Sequence, residues 1–328
     1  MIITELEEML TVTENESGST FVADVLSGLS APFKQLSPMY FYDDIGSELF
    51  QQITRHEDYY PTRKEVEILN RIKDELPQVI SEEAIDIIEL GAGDGHKSNL
   101  VIEGFLSAGR QVNFYPIDIS KKALTMMKET IPSHPNLTVH GVVADYAHGL
   151  SYIKNRSSNP KLVLFLGSNI GNFERNDQVP FLKMIQSQLS ESTSLLIGFD
   201  MKKDEAVLNR AYNDSAGLTR AFNLNLLTRI NTELGGEFDL SSFAHHGYYN
   251  ADVGGMESYL VSTKTQDVTI RSLNKTFHFD ESERIHVEYS FKFSNADIAQ
   301  LGERSGFEVQ HMFSDQEDYF VDALWKVV

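Results

Sequence analysis

The run Glu89-Leu90-Gly91-Ala92-Gly93-Asp94-Gly95-His96-Lys97 holds the residues whose types and spacing most clearly could do chemistry. Glycines at alternate positions let a backbone bend sharply and let a ligand approach the main chain closely. A nucleotide cofactor is what such a turn serves. A phosphate-binding loop would need GxxxxGK(S/T), and that pattern is missing. A dinucleotide fingerprint would need its third glycine at position 96, where this chain has His96.

The spacing present is acid-x-Gly-x-Gly-x-Gly, which resembles the first motif of class I S-adenosylmethionine methyltransferases. Two further acids fall where that cofactor needs them. Asp118 ends the next strand-like run, and a carboxylate there can accept both ribose hydroxyls. A dehydrogenase wants an acid at the same place, so Asp118 alone does not discriminate. Asp145 and Tyr146 end the third run. There an adenine amino group can donate to the acid while its ring stacks on the aromatic. Lys97 can meet a carboxylate such as the cofactor's methionine tail, although alone it reads as a solvated surface lysine. The bland alternative for the whole set is a glycine-rich turn in an α/β protein with chance acids at strand ends.

Strands and helices must hold these groups. AIDIIEL (84–90) reads as a strand running into the glycine turn, with a helix over 97–108 behind it. VNFYPIDIS (112–120), LTVHGVVADY (137–146), KLVLFLGSNIGNF (161–173) and SLLIGFDM (194–201) read as four more strands. Ser120 caps a helix between the first two of these. Apolar strands alternating with amphipathic helices predict a parallel sheet covered on both faces. The expected fold is α/β, a doubly wound class I (Rossmann-like) methyltransferase sheet with a second, smaller α+β substrate lobe. Residues 66–200 plus 291–328 would form the S-adenosylmethionine-binding domain, and 1–65 plus 201–290 the substrate-binding lobe. In that lobe the first 35 residues read as a loosely held arm. Ser47 caps a short helix to Ile53, and Thr62 caps the next with Glu65 as its capping-box acid. Residues 204–231 read as helix, and 263–289 as alternating strands. A helix ending at Gly306 and two closing strands, with Trp325 in the core, complete the chain.

Among the 328 residues, Lys and Arg total 28 against 48 Asp and Glu, a net charge of −20. Nucleic acid and anionic membranes should repel such a chain, so neither is expected as a partner; no metal partner is expected either. Without cysteine, thiolate nucleophiles, Fe–S clusters and Cys-ligated zinc are excluded. The acidic start MIITELEEML is unlike a signal peptide, and the expectation is a cytoplasmic enzyme acting on a small molecule. The pair His245-His246 lacks a further ligand at metal spacing and reads as a surface turn.

The chain resembles the histidine-specific methyltransferase family, which includes the ergothioneine-pathway L-histidine Nα-methyltransferases. The resemblance lies in FYDDIGSELFQQITRHEDYYPTR (41–63), ELGAGDGHKS (89–98) and LFLGSNIGNF (164–173). It continues in RAYNDSAGLTRAFNLNLLTRINTELGGEFD (210–239) and HVEYSFKF (286–293). The resemblance implies S-adenosyl-L-methionine as cofactor, contacted by Gly91, Gly93, Lys97, Asp118, Asp145, Tyr146 and Thr219. It implies that Tyr42 and Tyr59 line the amino-acid pocket and that the Gly167 backbone faces the substrate amine. It places Asn172 and Tyr212 on the substrate carboxylate, Glu288 and Ser290 on the imidazole, and Met256 beside that ring. Asn169 and Tyr146 depart slightly from the family pattern, without loss of a chemical role.

Taken without the resemblance, Glu288 reads as a solvent-facing strand residue, Asn172 as a loop cap and Tyr212 as a core aromatic. Glu288 and Ser290 nonetheless share a strand face, so they can address two nitrogens of an azole. An indole offers one N–H and no acceptor. The expected reaction is in-line transfer of a sulfonium methyl to the α-amine of L-histidine. Gly167 and Tyr42 would orient the amine, and positioning can contribute about 7–11 kcal/mol. Repeated transfer would give the trimethyl betaine, hercynine. The alternatives are a relative methylating a tryptophan-derived amine or a histidine-derivative ring nitrogen and, further off, an NAD-dependent dehydrogenase.

Overall fold

Near-continuous apolar runs build the first of two units. The computed structural model describes residues 2–5, 20–91, 93–191 and 193–328. Residues 6–19, part of the expected arm, lie outside the described residues. The chain divides into residues 1–10, 61–202 and 293–328 in one unit and 11–60 and 203–292 in the other.

The first unit holds strands β1 (Ile2–Glu5), β2 (Ala84–Leu90), β3 (Gln111–Asp118), β4 (Leu137–Val143), β5 (Lys161–Phe165), β6 (Thr193–Asp200), β12 (Phe307–Ser314) and β13 (Phe320–Val327). Among the described residues they form an eight-stranded sheet in the order β1-β4-β3-β2-β5-β6-β13-β12. Strands β1 to β6 pair in parallel, while β13 runs antiparallel to β6 and to β12. All five residues of β5 are buried, as expected of a strand covered on both faces. The covering helices are α3 (Tyr60–Ile72), α4 (Leu76–Val79), α5 (His96–Ser107), α6 (Lys121–Thr130), α7 (Tyr146–Lys154), α8 (Arg175–Gln188) and α11 (Asn295–Arg304). Ser120 caps α6 by accepting the Ala123 N–H at 3.1 Å. Phe105, Phe114, Leu164, Leu196 and Phe320 fill the core, and Trp325 is fully buried. The strand order reverses between β2 and β5, and α/β sheets bind ligands beyond the carboxyl ends of strands at such a reversal.

The second unit holds α1 (residues 20–30), α2 (Asp44–Arg55), α9 (Glu205–Ala211) and α10 (Leu218–Leu234). Its strands are β7 (Phe243–Asn250), β8 (Gly255–Ser262), β9 (Gln266–Ile270), β10 (Lys275–Phe279) and β11 (Arg284–Phe291). An antiparallel sheet runs β11-β8-β7, and β9 and β10 make a hairpin. Phe41, Phe222, Leu226, Ile230, Leu260 and Phe279 lie in its core.

Several expectations need correction. Strand β1, expected in the lobe, adds to the sheet edge beside β4. Helix α1 is no loose arm, because Phe21, Val25 and Leu29 recur every four residues and are all buried. Asp43, not Ser47, caps α2 by accepting the Gly46 N–H at 2.7 Å. Helix α3 already runs from Tyr60, with Pro61 tolerated in its first turn, so Thr62 is no cap and Glu65 is free to turn inward, where it is buried. The helix expected over 204–231 breaks at Tyr212–Gly217, where Asp214 accepts the Leu218 and Thr219 N–H groups at 2.8 and 2.6 Å. His245 and His246 lie within β7, not in a turn. No helix among the described residues is long and apolar enough to cross a membrane.

Phe21 lies 4.4 Å, ring centre to ring centre, from Tyr40 and is 2% exposed. Phe21→Ala should therefore cost about 3–5 kcal/mol in denaturant unfolding. A loss below about 1 kcal/mol would show that α1 is peripheral to the core.

Candidate active site

In the sheet unit the site begins where β2 ends. Gly91, Gly93 and Gly95 have φ of +88°, +52° and +74°, the left-handed region that glycine enters without strain. A Cβ on Gly95 would lie 2.8 Å from Thr130 Oγ1, while one on Gly93 would meet nothing within 4 Å. The turn is thus packed behind and open at Gly93. The Tyr146 hydroxyl lies 3.3 Å from where a Gly91 Cβ would stand, and burial pushes its pKa up to about 12. Burial raises the Glu89 carboxyl to about 8, against the pull of the Ser98 hydroxyl, which donates to it at 2.9 Å, and of Lys97.

Asp118 ends β3 and accepts the Ser120 N–H at 2.7 Å. Asp145 caps α7, taking the His148 N–H at 2.8 Å and meeting the His148 ring at 2.7 Å. Any adenine contact by Asp145 would therefore share a carboxylate already committed locally. Tyr146 packs edge-on against Phe165 and Phe181.

Beside this turn, Glu65 does what its sequence position does not announce. Its Oε1 accepts the Gly167 N–H and its Oε2 accepts Lys97 Nζ, both at 2.6 Å. Lys97 is therefore no solvated lysine. Burial opposes its charge, but Glu65, with Glu89 and Asp322, more than offsets this and the pKa rises. Burial and the neighbouring Glu65 push Asp322 well above the usual carboxylate range. The loop after β5 continues into a 3-10 turn, Asn169–Asn172, in which the Asn169 amide donates to Leu166 O at 2.9 Å. Asn172 ends that turn, half-buried.

In the second unit, one face of the β11-β8-β7 sheet gathers the rest. A bulge between His286 and Glu288 sets the register, so that Glu288 faces Ser258 and Ser290 faces Met256 across β8. Gly247 leaves room for the turn after α9, since a Cβ there would sit 3.1 Å from the Tyr212 carbonyl. That turn is tied down by His245 Nε2 on Tyr212 O at 2.9 Å and the Asn213 amide on Gly247 O at 2.8 Å. The Tyr212 hydroxyl then reaches Ser290 Oγ and donates to it at 2.7 Å. The resemblance assigned these two to opposite ends of the substrate, yet here they touch.

Lys292, which the sequence reading left unassigned, is fully buried and donates to Ser290 Oγ at 2.9 Å and Tyr212 Oη at 3.0 Å. Its signal was the alternation Glu288, Ser290, Lys292, which runs from β11 into the residue just after it. Burial raises Glu288 to about 7, and the Lys292 ammonium restrains that rise. Tyr42 and Tyr59 both pack against Phe50, at 5.6 and 6.3 Å. Thr219 lies in the first turn of α10, buried, with its N–H on Asp214. Among the described residues no group of His, Asp and Glu could hold a metal ion.

A family model described as histidine-specific methyltransferase, SAM-dependent, matches residues 21–327. The chain belongs to that family. It is 35% identical over 294 residues to the histidine N-alpha-methyltransferase of Mycolicibacterium smegmatis, covering 89% of this chain and 90% of that protein. It is 32% identical over 296 residues to ergothioneine biosynthesis protein 1 of Neurospora crassa, covering 89% of this chain and 33% of that protein. It is also 26% identical over 307 residues to the 4-dimethylallyltryptophan N-methyltransferase of Claviceps fusiformis, covering 87% and 85%. Membership of a SAM-dependent family removes the dinucleotide alternative. The residues present fit that cofactor, because the turn at Gly93 is open and a carboxylate, Asp118, stands at the next strand end.

The folded pKa of Glu89 lies above its unfolded value, so the protonated group stabilises the fold at low pH. That contribution is full below about pH 4.5 and is lost as pH rises toward about 8. Glu89→Gln should therefore flatten the decline of stability between about pH 5 and 8 in chemical denaturation. Parallel curves for the two proteins would contradict a neutral Glu89.

Proposed function

We propose that this enzyme methylates the α-amine of L-histidine and that successive transfers yield the trimethyl betaine, hercynine. When bound, S-adenosylmethionine supplies an electrophilic methyl on a sulfonium sulfur. Gly91, Gly93, Lys97, Asp118, Asp145 and Tyr146 of the sheet unit would hold it, with Thr219 as a further contact. The second unit would carry most of the amino-acid site. A cytoplasmic location fits an enzyme of small-molecule metabolism.

The observation that carries the substrate assignment is the β11 face. Glu288, as a carboxylate, accepts an azole N–H, and Ser290 beside it addresses the other ring nitrogen. Met256, buried opposite Ser290, gives the ring an apolar neighbour. Tyr212 joins the ring end of this site through Ser290, which leaves Asn172 as the proposed carboxylate donor. We assign the substrate amine to the Gly167 carbonyl and the Tyr42 hydroxyl, with Tyr59 as a further substrate contact. An uncharged amine held in line needs positioning above all, and the residues named supply three separate anchors. The relative named for 4-dimethylallyltryptophan marks indole amines as the competing substrate class. A Glu–Ser pair disfavours an indole, which has no acceptor nitrogen.

Glu288→Ala should lower kcat/KM for histidine by about 10- to 100-fold with cofactor affinity intact. Unchanged turnover on histidine would remove the ring-reading role. Asp118→Ala should weaken binding of the cofactor product, S-adenosylhomocysteine, by about tenfold or more in calorimetry. An unaltered affinity would contradict the assignment of Asp118 to the ribose.

A further inference from the structure

We infer that Lys292 is a positioning residue that fixes Ser290 as a hydrogen-bond donor, so that the ring subsite selects azoles carrying both an N–H and a bare nitrogen. The inference rests on the histidine reading above and deepens it.

Glu288 and Ser290 lie in β11, and Lys292 follows directly after its end. Glu288, Ser290 and Lys292 alternate, so they share one face of the chain. Lys292 is fully buried, and its ammonium donates to both Ser290 Oγ at 2.9 Å and Tyr212 Oη at 3.0 Å. The Tyr212 hydroxyl donates to Ser290 Oγ at 2.7 Å. A serine hydroxyl has two lone pairs and one proton. Here one lone pair takes an N–H and the other an O–H. What remains to Ser290 is its own proton, which it can only give away.

The ammonium fixes one half of this polarity, and the Tyr212 hydroxyl, donating to Ser290 Oγ, fixes the other. A neutral group at position 292 could swap donor and acceptor with the two hydroxyls, but an ammonium has no lone pair to offer. The same charge acts on Glu288 and favours its ionised, accepting form. The face therefore presents one acceptor, Glu288, and one donor, Ser290. A neutral imidazole is the complement, with one N–H and one bare nitrogen. An indole would satisfy Glu288 and leave the Ser290 proton without a partner, which a buried site penalises by about tenfold or more. Lys292 thus acts on the substrate through Ser290 and need not touch it.

A double-mutant cycle tests the link. Lys292→Met and Ser290→Ala should each lower kcat/KM for histidine by about tenfold or more. In the Ser290→Ala background, Lys292→Met should cost less than about twofold further, because the hydroxyl it orients is gone. The preference for histidine over tryptophan should narrow in both single variants. Losses that multiply in the double variant, or an unchanged preference in Lys292→Met, would overturn the inference. If Lys292→Met does not fold, Tyr212→Phe takes its place, since it removes the other proton filling Ser290. Non-additivity with Ser290→Ala is then expected, and multiplied losses overturn the proposal. An unaltered enzyme that transfers no methyl to histidine sinks the substrate reading, and this inference with it. An active enzyme whose variants show multiplied losses sinks this inference alone.

Discussion

Glu65 takes a backbone N–H with one carboxylate oxygen and an ammonium with the other, and the carboxyl edge of the sheet is organised around it. The two donors come from the loop after β5 and the first turn of α5. These are the segments that flank the reversal of strand order. An amide could not replace the carboxylate, because one of its two ends would point a donor at a donor. Asp322, buried and pushed above the usual carboxylate range by burial and by Glu65, stands behind this arrangement. Gly198 leaves it space, since a Cβ there would lie 2.5 Å from Glu65 Oε1. The backbone at Gly167 is thereby held by a carboxylate that lies out of solvent.

The second unit solves a different problem with a similar device. A small three-stranded sheet must present polar groups on a face that is otherwise buried. It does so by giving those groups one another as partners. Tyr212, Ser290 and Lys292 saturate most of each other's capacity. Polar groups in such a setting are costly unless paired, and on the reading proposed above the surplus donor and acceptor would select the ligand. The chain's membership of the histidine-specific family is consistent with the azole reading proposed for this face.

Much of the sheet was legible because its signals are local and repeated. Strand β2 spans Ala84–Leu90, the apolar run read from the sequence, and Ser120 caps α6 as its position before a helical pattern implied. The glycine turn was legible because alternate glycines leave few other conformations. Legibility failed where tertiary packing overrode a local signature. Thr62 and Glu65 satisfy the spacing of a capping box, but Pro61 already lies inside α3, so Glu65 serves the interior instead. Lys292 drew no reading because lysine is rarely buried, yet here it is fully buried. The break at Tyr212–Gly217 was hidden by flanking residues that are all helix-compatible. The role of Asp214 as acceptor for two N–H groups shows only once the chain is folded. Strand β7 was missed because its His and Tyr residues do not alternate cleanly between apolar and polar.

The central claim is that methyl groups go to the α-nitrogen of one amino acid. The most direct measurement supplies methyl-labelled S-adenosylmethionine with a mixture of the free protein amino acids and locates the label by mass spectrometry and NMR. The account predicts label on histidine alone, on its α-nitrogen, accumulating to three methyls. Label on a ring nitrogen, or on tryptophan in preference to histidine, would contradict it.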